Sequence, residues 1–135
     1  MVNDPISDML IRIKNAQAVG HEQVSMPFSK VKFALANVLR AGGFISEVSR
    51  SKKKAKKAEH DYLDITLKYY YDGGAAINGF KIISRPSRHM YIQADKIKTV
   101  RSGYGMAVIS TSKGIMSSKD AKKNRLGGEI MFEVY

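Results

Sequence analysis

From residue 63 to residue 71 the chain alternates. Leu63, Ile65, Leu67, Tyr69 and Tyr71 fall on one side of an extended backbone, and Asp64, Thr66, Lys68 and Tyr70 fall on the other. A period of two sustained this long is a strand with one buried face, and such a strand needs both neighbours and a cover. The cover lies upstream. Asp4 and Pro5 open a first helix, because Asp accepts from free amides and Pro suits the first helical position. Ile6, Met9, Leu10 and Ile13 follow at helical spacing, with Arg12, Lys14 and Asn15 off the stripe. Gly20 and His21 end this helix, and residues 23–26 read as a short strand stopped by Pro27.

Ser29 is placed to cap a second helix whose apolar face is Val31, Ala34, Leu35, Val38 and Leu39, with Gly42 and Gly43 as the stop. Lys30 and Lys32 stand in its first turn, where the helix dipole disfavours cations. An anion from a partner would relieve them, or they are simply solvated, since the effect at an exposed site is only ~0.3–1 kcal/mol. Residues 44–50 read as a strand. Residues 75–84, after the turn Asp72-Gly73-Gly74, are expected to pair back onto the alternating strand with a bulge or bend at Asn78-Gly79. The first part is therefore α-β-α-β-β.

Between its last two strands, residues 51–61 hold nothing apolar larger than Ala and read as a mobile loop. Lys52, Lys53, Lys54, Lys56 and Lys57 could hold phosphates without sequence preference, or be a solvated charge run.

The second part turns on Ser110-Thr111-Ser112-Lys113-Gly114, a polar stretch between an apolar run from Tyr104 to Ile109 and the pair Ile115-Met116. Apolar residues on both sides make it a hairpin tip. It offers three hydroxyls, one ammonium and a glycine free to take positive φ. Such a tip can clasp a partner rich in phosphates and base edges, or be an ordinary solvated turn. Upstream, Ser84-Arg85-Pro86-Ser87-Arg88-His89-Met90-Tyr91 sets Arg forks beside an aromatic ring, a pairing suited to RNA. Residues 93–101 read as a short helical connector. Beyond the tip, residues 117–125 read as a short basic helix closed by Leu126-Gly127-Gly128, and residues 129–135 as a last strand with Ile130, Phe132 and Val134 inward. The fold class is α+β: two small packed parts, residues 1–73 and 74–135, the second β-rich with one short helix.

Charge narrows the partner. The chain of 135 residues has a formal net charge of +11, and so large an excess on a small protein draws polyanions. The part after Gly73 is the more basic, with 11 basic and 4 acidic residues against 12 and 8 before it. There is no Cys, and His21, His60 and His89 lack metal-ligand spacing, so neither a metal nor another cofactor is expected. No apolar run approaches a membrane span, and residues 1–5 lack the order of a signal peptide, which leads us to expect a soluble, cytoplasmic protein. Ser110-x-x-Lys113 matches one element of the serine acyl-enzymes, but their Ser-Asp-Asn and Lys-Thr-Gly are missing. No P-loop occurs, helix-turn-helix spacing is absent, and no basic amphipathic helix is left over for a membrane. No enzyme and no small-molecule substrate is expected.

Five segments carry a resemblance: residues 4–15, residues 26–30, Ser84-Arg85-Pro86, residues 110–114, and Leu126-Gly127-Gly128-Glu129. In this order and spacing the chain resembles the bacterial small-subunit ribosomal protein S8 family over nearly its whole length. The resemblance implies a structural constituent of the small ribosomal subunit that binds the central domain of its ribosomal RNA early in assembly. It also implies that Ser110, Thr111, Ser112, Lys113 and Gly114 enter the shallow groove of an irregular RNA helix, with Ser112 first among them for a base contact. Arg85, Pro86, Arg88 and Tyr91 would lie along that helix, Gly128 and Glu129 would brace the groove, and Ser29 and Lys30 would touch a second RNA element. The implied partners include neighbouring small-subunit proteins, notably protein five, and, in some bacteria, the protein's own messenger RNA. The run from Lys52 to Lys57 is more basic than this family's pattern, and we read it as an auxiliary phosphate contact. A free messenger- or DNA-binding regulator is the competing reading.

Overall fold

The computed structural model describes residues 5–55, 58–98 and 105–135. Its backbone divides into two compact units, residues 8–76 and residues 77–135 with the first seven.

In the first unit the order is α1 (Pro5–Ala18, its first turn assigned to the other unit), β1 (Gln23–Pro27), α2 (Lys30–Ala41), β2 (Ile45–Ala55) and β3 (Ala58–Leu67). The strands form one antiparallel sheet in the order β1-β3-β2, so the alternating strand is central. Its apolar side is fully used, with Leu63, Ile65 and Leu67 buried beside Met26 of β1 and Ile45 of β2. Helix α2 packs on β2 and β3. Its Ser29 cap is as expected: extended backbone, with Oγ accepting from the Lys32 N–H at 3.1 Å. Its buried stripe runs through Leu35, Ala36 and Leu39, whereas Val31 of the expected face is half exposed. In α1, Met9, Leu10, Ile13 and Ala16 are buried.

Two expectations fail here. Residues 51–55 and 58–61 are not a loop: β2 and β3 stay paired from Ile45 to Ala55 and from Ala58 to Leu67, so Lys52, Lys53 and Lys54 ride on a β-ribbon. Backbone ladder bonds need no apolar side chain, and the ribbon is extended by pairing alone. The alternating strand also stops at Leu67, short of Tyr71. Residues 75–84 do not pair back onto it beyond a single bridge from Tyr69 to Ala75. They lead instead into β4 (Phe80–Ile82), which pairs with the last strand of the other unit.

The second unit continues with β5 (Tyr91–Ile92), a 3-10 turn at Ala94–Lys96, β6 (Met106–Thr111), β7 (Gly114–Ser117), α3 (Ser118–Lys123) and β8 (Gly128–Val134). The sheet order is β4-β8-β6-β7, and β5 lies against the start of β8. Asn78 and Gly79 both donate to the Tyr135 carbonyl, which ties the end of the chain beside β4. On one face Val108, Phe132 and Val134 are fully buried, and the Phe80 and Phe132 rings meet edge-on at 5.8 Å between centroids. On the other, Ile109 packs with Ala121 of α3 and with Ile97. Of the expected helical connector, residues 93–98 are described and only Ala94–Lys96 are helical, as a single 3-10 turn, while residues 99–101 lie outside the described residues.

Candidate RNA interface

Residues 110–114 form the tip of the β6–β7 hairpin. Thr111 and Gly114 are paired, and Ser112 and Lys113 alone make the turn. The turn is fixed from within: the Thr111 hydroxyl donates to the Gly114 carbonyl at 2.7 Å and accepts from the Lys113 N–H at 3.2 Å. Ser112 and Lys113 keep negative φ and Gly114 takes +112°, a division in which glycine absorbs the strain that a side chain would feel. Thr111 is thus spent on holding the loop. Ser112 and Lys113 stand exposed with their donors free to reach outward.

The neighbouring strands bring the other residues to this tip. Ser110 pairs with Glu129 on β8, and Glu129 pairs on its far side with Tyr91 of β5. Paired residues in antiparallel strands point to the same face. Tyr91, Glu129 and Ser110 therefore make a row across three strands, with Tyr91 73% exposed. Gly128, beside Ser110, has a further reason to be glycine: a β-carbon there would overlap the Ser110 carbonyl oxygen, and one on Gly127 would lie 2.6 Å from the Ile92 carbonyl. The two glycines do not close the preceding helix, as the sequence suggested. They let β8 lie close enough to β6 and β5 for the row to form.

Arg85 and Arg88 face each other across the two-residue turn Pro86-Ser87, exchanging backbone hydrogen bonds of 2.9 Å each way. Ser84 Oγ accepts from the Met90 N–H at 2.9 Å, and the Met90 carbonyl accepts from Ile130 at 2.9 Å, so the arginine turn is moored to β8. One residue was missed in the sequence. His89 places Nδ1 2.8 Å from the Glu129 carboxylate, fixing the acid within the row. A histidine between two arginines and a tyrosine carries no spacing signal, and only the strand register links it to Glu129.

Ser29 and Lys30 belong to the other unit. Lys30 is exposed, while the Ser29 oxygen is engaged as the helix cap. Within the ribbon, Lys52 faces Asp61, Lys54 faces Glu59, and Lys53 faces His60. Arg50 forms an ion pair with Asp61 and lies 4.0 Å above the Phe28 ring. That guanidinium, chiefly through its hydrogen bond and then through its charge, holds the Asp61 carboxyl below the usual range. Lys56 and Lys57 lie outside the described residues.

Among the described residues no cluster of His, Asp and Glu could hold a metal ion, and no helix is long and apolar enough to cross a membrane. The surface is a braced tip with an outward hydroxyl and ammonium, two arginines and one open ring beside a glycine seam, which is the chemistry of a nucleic-acid-binding module. The sequence agrees: residues 4–135 match the family model for ribosomal protein S8. The chain is 50% identical over 95% of its length to small ribosomal subunit protein uS8 of Bdellovibrio bacteriovorus, covering 96% of that protein. It is 42% identical to the uS8 of Sorangium cellulosum, with both chains covered in full. Against the uS8 of Hydrogenovibrio crunogenus the identity is 47%, over 96% of this chain and 95% of that one. The chain belongs to the ribosomal protein S8 family, whose members are structural components of the small ribosomal subunit in the bacterial cytoplasm and not enzymes.

Proposed function

We propose that this protein binds the central domain of the small-subunit ribosomal RNA and stabilises its folding during assembly. The observation that carries the reading is the row Tyr91–Glu129–Ser110 running into the braced tip Thr111–Gly114. A tip stiffened by its own hydrogen bonds loses little freedom on binding, so its outward hydroxyls can select a shape rather than adapt to any. Ser112 contacts a base edge, with Ser110, Lys113 and the Gly114 backbone along the shallow groove. Gly128 and Glu129 brace the groove, while Arg85, Pro86, Arg88 and Tyr91 follow the backbone of the same helix.

The main RNA site is on the C-terminal unit. The N-terminal unit makes auxiliary contacts, Ser29 and Lys30 with a second RNA element and Lys52, Lys53, Lys54, Lys56 and Lys57 with phosphates. It also supplies contacts to neighbouring small-subunit proteins, protein five among them. A hairpin of similar shape in the protein's own messenger would be taken by the same tip. Sedimentation tests the assignment: the protein should travel with small subunits through a high-salt wash, and recovery at the top of the gradient would instead indicate a free regulator. A tagged Ser112→Ala variant should compete poorly with wild type for incorporation into subunits.

A further inference from the structure

The strongest feature outside this row is the end of α3. Asn124 caps the helix, and Arg125 follows with φ of +56°, the one described residue other than glycine with positive φ. Its N–H donates to the Lys122 carbonyl at 3.1 Å and the next amide, of Leu126, donates to Ala121 at 2.8 Å. This is the paired closure in which a helix places a left-handed residue just past its cap, a position where glycine is cheapest. An arginine there is strained by its own β-carbon, and a residue kept against such strain points to a use for its side chain.

The side chain has company. Arg125 and Lys122 line an open cleft of about 440 Å³ with Ala94 and Asp95, where α3 packs against the 3-10 turn. Lys123 of α3 and Lys96 of the turn are exposed as well, as is Lys98 two residues past the turn, and Asp95 and Asp120 are the acids among them. None of these seven residues takes part in an ion pair between the described residues. Lysines in the last turn of a helix are explained by its dipole. The dipole does not explain a left-handed arginine, since a cation one residue earlier would serve as well.

We infer that Arg125, with Lys122, forms a second phosphate-binding site of the C-terminal unit, taken by the sugar-phosphate backbone of an RNA strand. The planar guanidinium fits two phosphate oxygens, and the neighbouring ammonium adds charge without constraining geometry. The site rests on the RNA-binding reading above but uses none of the residues of the tip.

Glycine at this position separates the two roles. Binding of wild type, Arg125→Gly, Arg125→Lys and Ser112→Ala to deproteinised small-subunit ribosomal RNA would be measured across a salt series, with excess transfer RNA as competitor. Arg125→Gly should melt at the same temperature as wild type or higher. It should nevertheless bind about tenfold more weakly, with the slope of log affinity against log salt reduced by roughly 0.7–0.9. Arg125→Lys should retain most of that slope. Wild-type affinity and slope in Arg125→Gly would overturn this site and leave the tip intact. Failure of wild type itself to bind would overturn the RNA reading, and this site with it.

Discussion

The molecule carries two polar hairpins that differ in what holds them. The β6–β7 tip turns in two residues, spends Thr111 on bracing itself and leaves Ser112 and Lys113 outward. The β2–β3 ribbon is long and rich in lysine; Lys52 and Lys54 face Asp61 and Glu59, but Asp61 is already held by Arg50, so the ribbon keeps an excess of positive charge. Among the described lysines of the ribbon, only Lys53, opposite His60 and 5.4 Å from the centre of the Tyr62 ring, has no facing acid in the strand register. A run of lysines is a weaker statement about which partner is bound than a short turn whose backbone is braced. Charge brings RNA near, and geometry chooses which RNA.

The contrast can be broken most severely at its hinge. Gly128→Ala would drive a β-carbon into the Ser110 carbonyl. Because backbone cannot yield as a flexible side chain does, it should cost about 1–3 kcal/mol of stability or more and abolish tight RNA binding. Chemical denaturation and a binding titration read the two effects, and wild-type behaviour in both would show that β6 and β8 need no glycine seam. Next is Ser112→Ala, expected to lose about 1–3 kcal/mol of binding by leaving a base edge unpaired. An exposed site should meanwhile keep stability within about 0.5 kcal/mol of wild type. A weakened fold with unaltered binding would invert the roles assigned to Thr111 and Ser112.

The ribbon's own anchor is Asp64, buried at 8% exposure and bonded by the Ser25 hydroxyl across β1. That bond, with smaller help from the charge of Lys53, holds its carboxyl below the ordinary value of 3.8. A depressed folded value stabilises the protein above the unfolded value and loses that contribution as pH falls through the folded one. Acid below about pH 4 should therefore destabilise wild type more than Asp64→Asn, as followed by circular dichroism. Equal acid sensitivity would mean that this carboxylate contributes nothing.

The smallest effect is expected on the ribbon's surface. Lys53→Ala should lower the salt slope of RNA binding by about 0.7–0.9, and Lys52→Ala or Lys54→Ala by less. Equal losses at all three would show that the facing acids do not matter.

Much of this was legible in the residues. Periodicity found both helices and the central strand, and hydroxyls followed by Lys and Gly between apolar runs marked the tip, because those signals are local. Long-range pairing was not legible. Nothing in residues 80–82 announces that they join β8 rather than β3, and nothing in the lysine run shows that backbone pairing continues through it. The roles of Gly127 and Gly128 were misread for the same reason. A glycine required by a neighbouring strand looks like a helix stop until the strand is in place.

The central claim is that the tip recognises shape while the ribbon supplies charge. It is tested most directly by titrating the protein, Ser112→Ala and a variant with Lys52, Lys53, Lys54, Lys56 and Lys57 neutralised against an irregular-core RNA hairpin and a fully paired control, across a salt series. Wild type should prefer the irregular hairpin at every salt concentration. Ser112→Ala should lose that preference with the slope unchanged, and the lysine variant should keep the preference with a shallower slope. A preference that survives Ser112→Ala but vanishes with the lysines would contradict the account.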